Sequence, residues 1–154
     1  MPLGDAPYER VGDGVLVSTE RARLDVALVH RFLNETYWAA GIPMSVVVRS
    51  IEHSVAFGLY RGPRQIGFAR VVSDLATYGY LADVFIVEEE RGRGLGEWLV
   101  ESILLHPELR GLRRFALFTK DAASLYARHG FVAAEGLPSY MEIVDREVYR
   151  RPQG

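Results

Sequence analysis

Six consecutive residues, Arg91-Gly92-Arg93-Gly94-Leu95-Gly96, have the types and spacing of an anion-binding turn. An apolar run, Tyr80-Leu81-Ala82-Asp83-Val84-Phe85-Ile86-Val87, precedes them, and a helical pattern begins near Gly94. Strand, glycine-rich turn and helix start together present bare backbone N–H groups and the positive end of a helix dipole to a phosphate. Glycine serves such a turn by tolerating positive φ and by letting a ligand approach the main chain. The same glycines would serve a plain strand-to-helix turn, so these six residues alone leave both readings open. A second residue that needs explaining is Asp83, a carboxylate inside an otherwise apolar strand pattern. Burying it unpaired is costly, so it requires a partner, such as a buried arginine or backbone amides, or a chemical use.

Two familiar phosphate loops fail on spacing. A P-loop needs Gly-Lys-Ser/Thr, but Gly96 stands between Leu95 and Glu97. The dinucleotide pattern G-x-G-x-x-G requires glycine at Glu97 in one register and at Leu99 in the other. What remains, Arg-x-x-Gly-x-Gly, resembles the acyl-CoA signature of the GNAT superfamily of N-acyltransferases. A second segment, Leu125-Tyr126-Ala127-Arg128-His129-Gly130-Phe131, is similar to that family's Leu-Tyr-x-x-x-Gly-Phe motif, in the expected order and one strand pattern later. The close match spans residues 80–131, and the flanking pattern is compatible on both sides.

The resemblance implies acetyl-CoA as co-substrate, bound where two central strands splay apart. It places the pantetheine arm along the main chain of Val84-Phe85-Ile86 and the diphosphate on the amides of Gly92, Arg93, Gly94, Leu95, Gly96 and Glu97. Arg91 and Arg93 would add side-chain charge, although exposed arginines are by default simply solvated. It also implies that Tyr126 is the general acid for the departing thiolate, since a phenol of pKa about 10 stays protonated at neutral pH. The competing role is an aromatic packed between helix and sheet. Ser124 stands where it contacts the cofactor or merely starts a helix. Members that act on polyamines carry an acidic pair at the positions of Ala82 and Asp83. This chain keeps only Asp83 as candidate base, with Tyr80, Tyr78 and a water path as the other route for the proton. An acetyltransferase working on the primary amine of a small acceptor follows; a sensor that binds acyl-CoA without turnover is the alternative.

Composition narrows the classes. The 154 residues suit one domain, residues 1–154, burying roughly 70% of its unfolded surface. With 49% hydrophobic and 25% charged residues the chain reads as an ordinary globule. A net charge of −2 gives no electrostatic reason to expect nucleic acid or an anionic membrane as partner. With no cysteine, thiol catalysis, disulfides and zinc-thiolate sites are unavailable. The histidines at 30, 53, 106 and 129 lack helical metal-ligand spacing, so no metal is expected. The absence of a signal peptide or a long apolar run points to the cytoplasm. A homodimer stays open.

The elements that must position these residues follow from periodicity. Val15–Val17 reads as a short strand. Helices are predicted over 24–33, with Leu24, Leu28 and Phe32 in one stripe, and over 44–53. Residues 55–60 and 65–72 read as a hairpin turning at Arg61-Gly62-Pro63-Arg64. The 80–87 strand leads into a helix over 94–106, stopped by Pro107. Phe115–Phe118 is apolar on both faces, as a central strand should be. Asp121 is expected to cap a short helix ended by Gly130, and residues 131–133 and 139–144 to finish as strands. Strands first and βαβα after imply an α/β (α+β) fold. Its mixed, mostly antiparallel sheet, with splayed central strands on the family resemblance, is flanked by about four helices. The acceptor pocket is expected among Tyr37-Trp38, Arg49, His53 and the loop from Asp74 to Tyr80.

Overall fold

Antiparallel hairpins build the first half of the sheet, and a crossover helix builds the second. A computed structural model of the protein describes residues 6–136 and 139–152. Strand β1 (Glu9–Gly12) turns back into β2 (Val15–Ser18). Helix α1 (Val26–Asn34) starts at Asp25, whose carboxylate accepts from the Leu28 amide at 3.0 Å. Its first free donors are thus partly satisfied. Helix α2 (Met44–Glu52) follows Pro43. Then come β3 (Val55–Arg61), β4 (Arg64–Ser73) and β5 (Tyr78–Ile86). Helix α3 (Leu95–Leu104), strand β6 (Arg114–Leu117) and helix α4 (Ala123–Ala127) complete the described elements. The sheet order is β1-β2-β3-β4-β5-β6, antiparallel as far as β5 and parallel between β5 and β6. A parallel pair needs a crossover, and α3 supplies it.

Register decides which helix covers which face. Phe68 pairs with Gly58 and Phe85, so its ring shares a face with Phe85, and Phe32 of α1 stacks on Phe85 at 4.0 Å between centroids. Phe57 pairs with Ala69 and therefore points to the other face. There its ring meets His106, just past α3, edge-on at 5.8 Å. The helices before and after the central strands thus cover opposite faces. Between them Val17, Phe57, Leu59, Ile66, Phe68, Val71, Leu99 and Ile103 are fully buried. A mixed, mostly antiparallel sheet with four helices is what the sequence pattern predicts; among the described residues the sheet has six strands.

Four details differ from expectation. Strand β1 carries Glu9 and Arg10 and was not predicted; it is an edge strand, with Glu9 and Val11 facing water and Arg10 turned onto Trp98 and Ser102 of the crossover helix α3. β6 is the other edge of the described sheet rather than a central strand, despite its apolar composition. Residues 131–133 and 139–144 are not strands. Their composition is strand-like, but no strand pairs with them among the described residues, and Val132, Met141 and Ile143 are solvent-exposed. Finally, the N-cap of α4 is Ala122, with no side-chain cap, and it is the Thr119 hydroxyl, not Asp121, that accepts from the Ala122 amide at 3.0 Å.

Candidate active site

The pairing of β6 with β5 runs from Tyr78↔Arg114 to Leu81↔Leu117 and stops. On its other edge β5 stays paired with β4 as far as Gly67↔Ile86. From Ala82 to Ile86, β5 therefore has a neighbour on one side and an open edge on the other, among the described residues. At the point of parting the register shifts: Arg70 pairs with Ala82 and Phe68 with Phe85. Asp83 and Val84 together stand against Ala69, which makes a bulge. Asp83 takes φ of 57°, a left-handed conformation that aspartate tolerates better than most residues.

The bulge redirects the Asp83 side chain. Strict alternation puts Asp83 on the face opposite Tyr80 and Ala82, whereas Arg70 shares the face of Ala82 through their pairing. The extra residue turns the carboxylate to Arg70, whose Nε donates to Oδ2 at 2.7 Å. Trp38 Nε1 donates to Oδ1 at 3.1 Å. Asp83 is 10% exposed and Arg70 20%, so the pair is largely removed from water. The buried arginine partner that the carboxylate called for is Arg70.

The main chain proposed for the cofactor divides its duties. Phe85 belongs to the core, while the Ile86 carbonyl accepts from Arg91 Nε at 2.9 Å. Arg91 is thereby strapped to the strand it follows. In the turn, Gly92 and Gly94 have φ of 79° and 78°, and a Cβ on either would meet nothing within 4 Å. Backbone angle, not crowding, demands glycine at both, and the space above them is open. Gly94 is the N-cap of α3, no side chain caps the helix, and the Trp98 amide bonds the Gly94 carbonyl at 3.1 Å. The amides of Leu95, Gly96 and Glu97 then have no intrahelical acceptor. They converge with the helix dipole on the open side of the turn.

Charged neighbours hold this turn in shape. Arg93 donates to Glu90 Oε2 at 3.3 Å, and Glu90 takes two further bonds from Arg61, at 3.2 and 3.0 Å. The Arg61 guanidinium, bonded to it, keeps the Glu90 carboxyl below the usual carboxylate range. Glu97 pairs with Arg128 of the segment after α4. A groove of about 480 Å³ opens there, lined by Gly94, Glu97, Trp98, Glu101, Arg128 and His129. His129 Nε2 is buried in its wall without a hydrogen-bond partner among the described residues.

Helix α4 packs on the first turn of α3, with Leu125 Cδ2 3.9 Å from where a Gly96 Cβ would stand. Tyr126 is half-buried, its ring edge-on to Phe131 at 5.9 Å, and burial raises its phenol above the usual value. Its hydroxyl has no hydrogen-bond partner among the described residues, so the proton is uncommitted. Ser124 is exposed on the same helix. Of the expected acceptor residues, Trp38 reaches the parting point, while Arg49 lies exposed on α2 and His53 exposed just past its end. Arg70 was missed because its pattern is an ordinary strand position; the need of Asp83 for a cation was the signal for it.

An uncapped helix start with open space over its glycines fits a diphosphate, and an unpaired strand edge fits an amide-bearing arm. Comparison with known proteins gives the same direction. The family described as "Acetyltransferase (GNAT) domain" matches residues 52–133. A protein of Gibberella zeae named as an acetyltransferase is 33% identical over 137 residues, covering 74% of this chain and 76% of its own length. A crystal structure of a GNAT-family protein from Xanthomonas campestris pv. campestris superposes with a TM-score of 0.85 at 47% identity, covering 89% of this chain and 97% of that one. A Clostridium acetobutylicum protein crystallised with acetyl-CoA shares the fold, with a TM-score of 0.58 at 13% identity over 88% of this chain and 96% of that one.

Proposed function

The chain belongs to the GNAT family of acetyltransferases, and from that premise we propose that it moves an acetyl group from acetyl-CoA to the primary amine of a small acceptor by direct attack. The observation that carries this reading is the end of β6 pairing at Leu81, beside an uncapped, glycine-fronted start of α3. The amides of Gly92 to Glu97 would take the diphosphate, and the free edge of Val84, Phe85 and Ile86 would take the pantetheine arm. When bound, the thioester supplies an acetyl group at an activated carbonyl.

The remaining chemistry is the chain's own. Tyr126 holds a proton at Oη for the leaving sulfur, and its raised pKa keeps that proton in place at neutral pH. Asp83 has both carboxylate oxygens engaged, so we assign it to fixing Arg70 and Trp38 at the parting point. The proton of the attacking amine then leaves through water past Tyr80 and Tyr78. The sensor reading draws on one feature, the methyl group of Ala82 where polyamine-acetylating relatives carry an acid.

Two measurements test the proposal. In Gly94→Val, a β-branched side chain in the left-handed region costs about 1–2 kcal/mol and projects into the open space over the amides. Calorimetry should show CoA binding lost in a protein that still folds, and unchanged affinity would remove the diphosphate from this turn. A mass-spectrometric screen of pooled primary amines with acetyl-CoA separates enzyme from sensor. Acetylated product is expected, and binding without product would establish the sensor.

A further inference from the structure

Aromatic side chains from three distant segments ring the point where β5 and β6 part, and they are unusually bare. Tyr37 is 71% exposed, Trp38 50%, Phe118 68% and Tyr140 68%. The contacts run almost continuously around the opening. Trp38, bonded to Asp83, meets Tyr37 edge-on at 5.1 Å. Lys120 Nζ sits over the Tyr37 ring at 5.2 Å. Phe118, the residue after β6, lies 5.9 Å from Tyr80 and 5.5 Å from Tyr140. Scattered single apolar residues on a surface need no explanation, but a contiguous exposed aromatic patch where two strands part marks a binding surface.

The charges on this rim cancel. Asp83 is neutralised by Arg70, the Glu142 carboxylate accepts from the Tyr140 hydroxyl at 2.8 Å, and Lys120 adds a cation of its own. Among these four groups the two carboxylates are matched by two cations in number, so they offer a polycation little net attraction. The methyl of Ala82 removes the extra acid that would change that balance. Flat rings with little net charge favour a flat, singly charged or neutral guest, through stacking worth about 0.5–1.5 kcal/mol per ring pair beyond the area buried.

We propose that the acceptor is a small primary monoamine carrying an aromatic ring, held between Trp38 and Phe118 with its nitrogen toward the split. This inference rests on the acetyl-transfer reading. The amine nitrogen forms a bond to the acetyl carbon as the carbon–sulfur bond breaks. One amine proton leaves to water, and the sulfur receives the proton of Tyr126, which solvent replaces.

Calorimetry on the CoA-loaded protein with phenethylamine and with spermidine tests the idea directly, alongside kcat/KM for both. Phenethylamine should bind, and its kcat/KM should exceed that of spermidine by about tenfold or more. Trp38→Ala should weaken phenethylamine about tenfold with CoA affinity unchanged, the scale of one lost ring pair. Because Trp38 also bonds Asp83, Phe118→Ala provides the independent variant and should weaken phenethylamine in the same direction. CoA binding together with a preference for spermidine, or with phenethylamine binding indifferent to both substitutions, would overturn the inference and leave acetyl transfer standing. If CoA fails to bind while phenethylamine binds through Trp38 and Phe118, the transfer reading falls, and the acceptor role falls with it.

Discussion

Strand β5 has two unlike edges. Along β4 it is paired to its end, broken only by the bulge at Asp83, and Phe85 there is buried between Phe68 and Phe32. Along β6 it is paired for four residues and then released. Backbone N–H and C=O groups take partners from protein, water or ligand, so a strand that closes one edge and opens the other leaves its open side available to a ligand. The closed edge supplies rigidity, and the open edge supplies hydrogen-bonding capacity. Substitutions on the two edges should therefore fail in different currencies: stability on the closed edge, binding and turnover on the open one.

The largest effect is expected on the closed edge. Phe85→Ala removes a ring that is 4% exposed and stacked at 4.0 Å on Phe32. Loss of such a buried ring costs about 3–5 kcal/mol. Chemical denaturation should show the drop, and whatever folded fraction remains should still bind CoA. A folded, fully stable Phe85→Ala protein would mean that the closed edge is not the anchor described.

This contrast was only half legible in the sequence. The turn beside the open edge announced itself through Gly92 and Gly94 between a strand pattern and a helix pattern, because glycine at those two positions answers a local demand for positive φ. The hairpin of β3 and β4 was equally local. The bulge was not legible: alternation carries no mark of an inserted residue, and only the tolerance of aspartate for left-handed angles hinted at one. Nor could the bond from Trp38 to Asp83, across 45 residues, be read from spacing. Residues 139–144 show the reverse failure. Tyr140, Ile143 and Val144 are residue types that strands favour, yet a strand needs a partner that composition cannot specify.

On the open edge the next effect is chemical. Tyr126→Phe deletes a hydroxyl that bonds nothing among the described residues, so stability should hardly change. Turnover should fall roughly 10²-fold or more, the usual scale for a lost general acid, with CoA affinity intact. The pH dependence has a sign. Burial raises the phenol, so the wild-type enzyme should keep its acid in the active, protonated form up to pH about 10 and beyond. A loss of rate centred near neutrality that disappears in Tyr126→Phe would contradict this. Unchanged turnover in the variant would make Tyr126 a packing residue and shift the acid role elsewhere.

The smallest effect should come from Asp83, which stands where the two edges meet. Asn is the informative replacement because it too tolerates a left-handed φ, so the backbone at 57° gains little strain. Its Oδ1 can still accept from Trp38 Nε1, and what disappears is both the charge and the acceptor that face Arg70. A lost charge-assisted hydrogen bond of this kind costs about 1–3 kcal/mol. If Asp83 positions Arg70 and Trp38, the variant should melt at a lower temperature and lose activity by a similar factor at every pH. If Asp83 instead takes the proton of the amine, the loss should be steep at low pH, where the acceptor is protonated, and should recover as free amine accumulates at high pH. Both carboxylate oxygens are already engaged, by Arg70 and by Trp38, and that geometry leads us to expect the flat profile with a softened fold. A pH-dependent deficit in a protein of unchanged melting temperature would return Asp83 to the chemistry and place the proton path on the carboxylate.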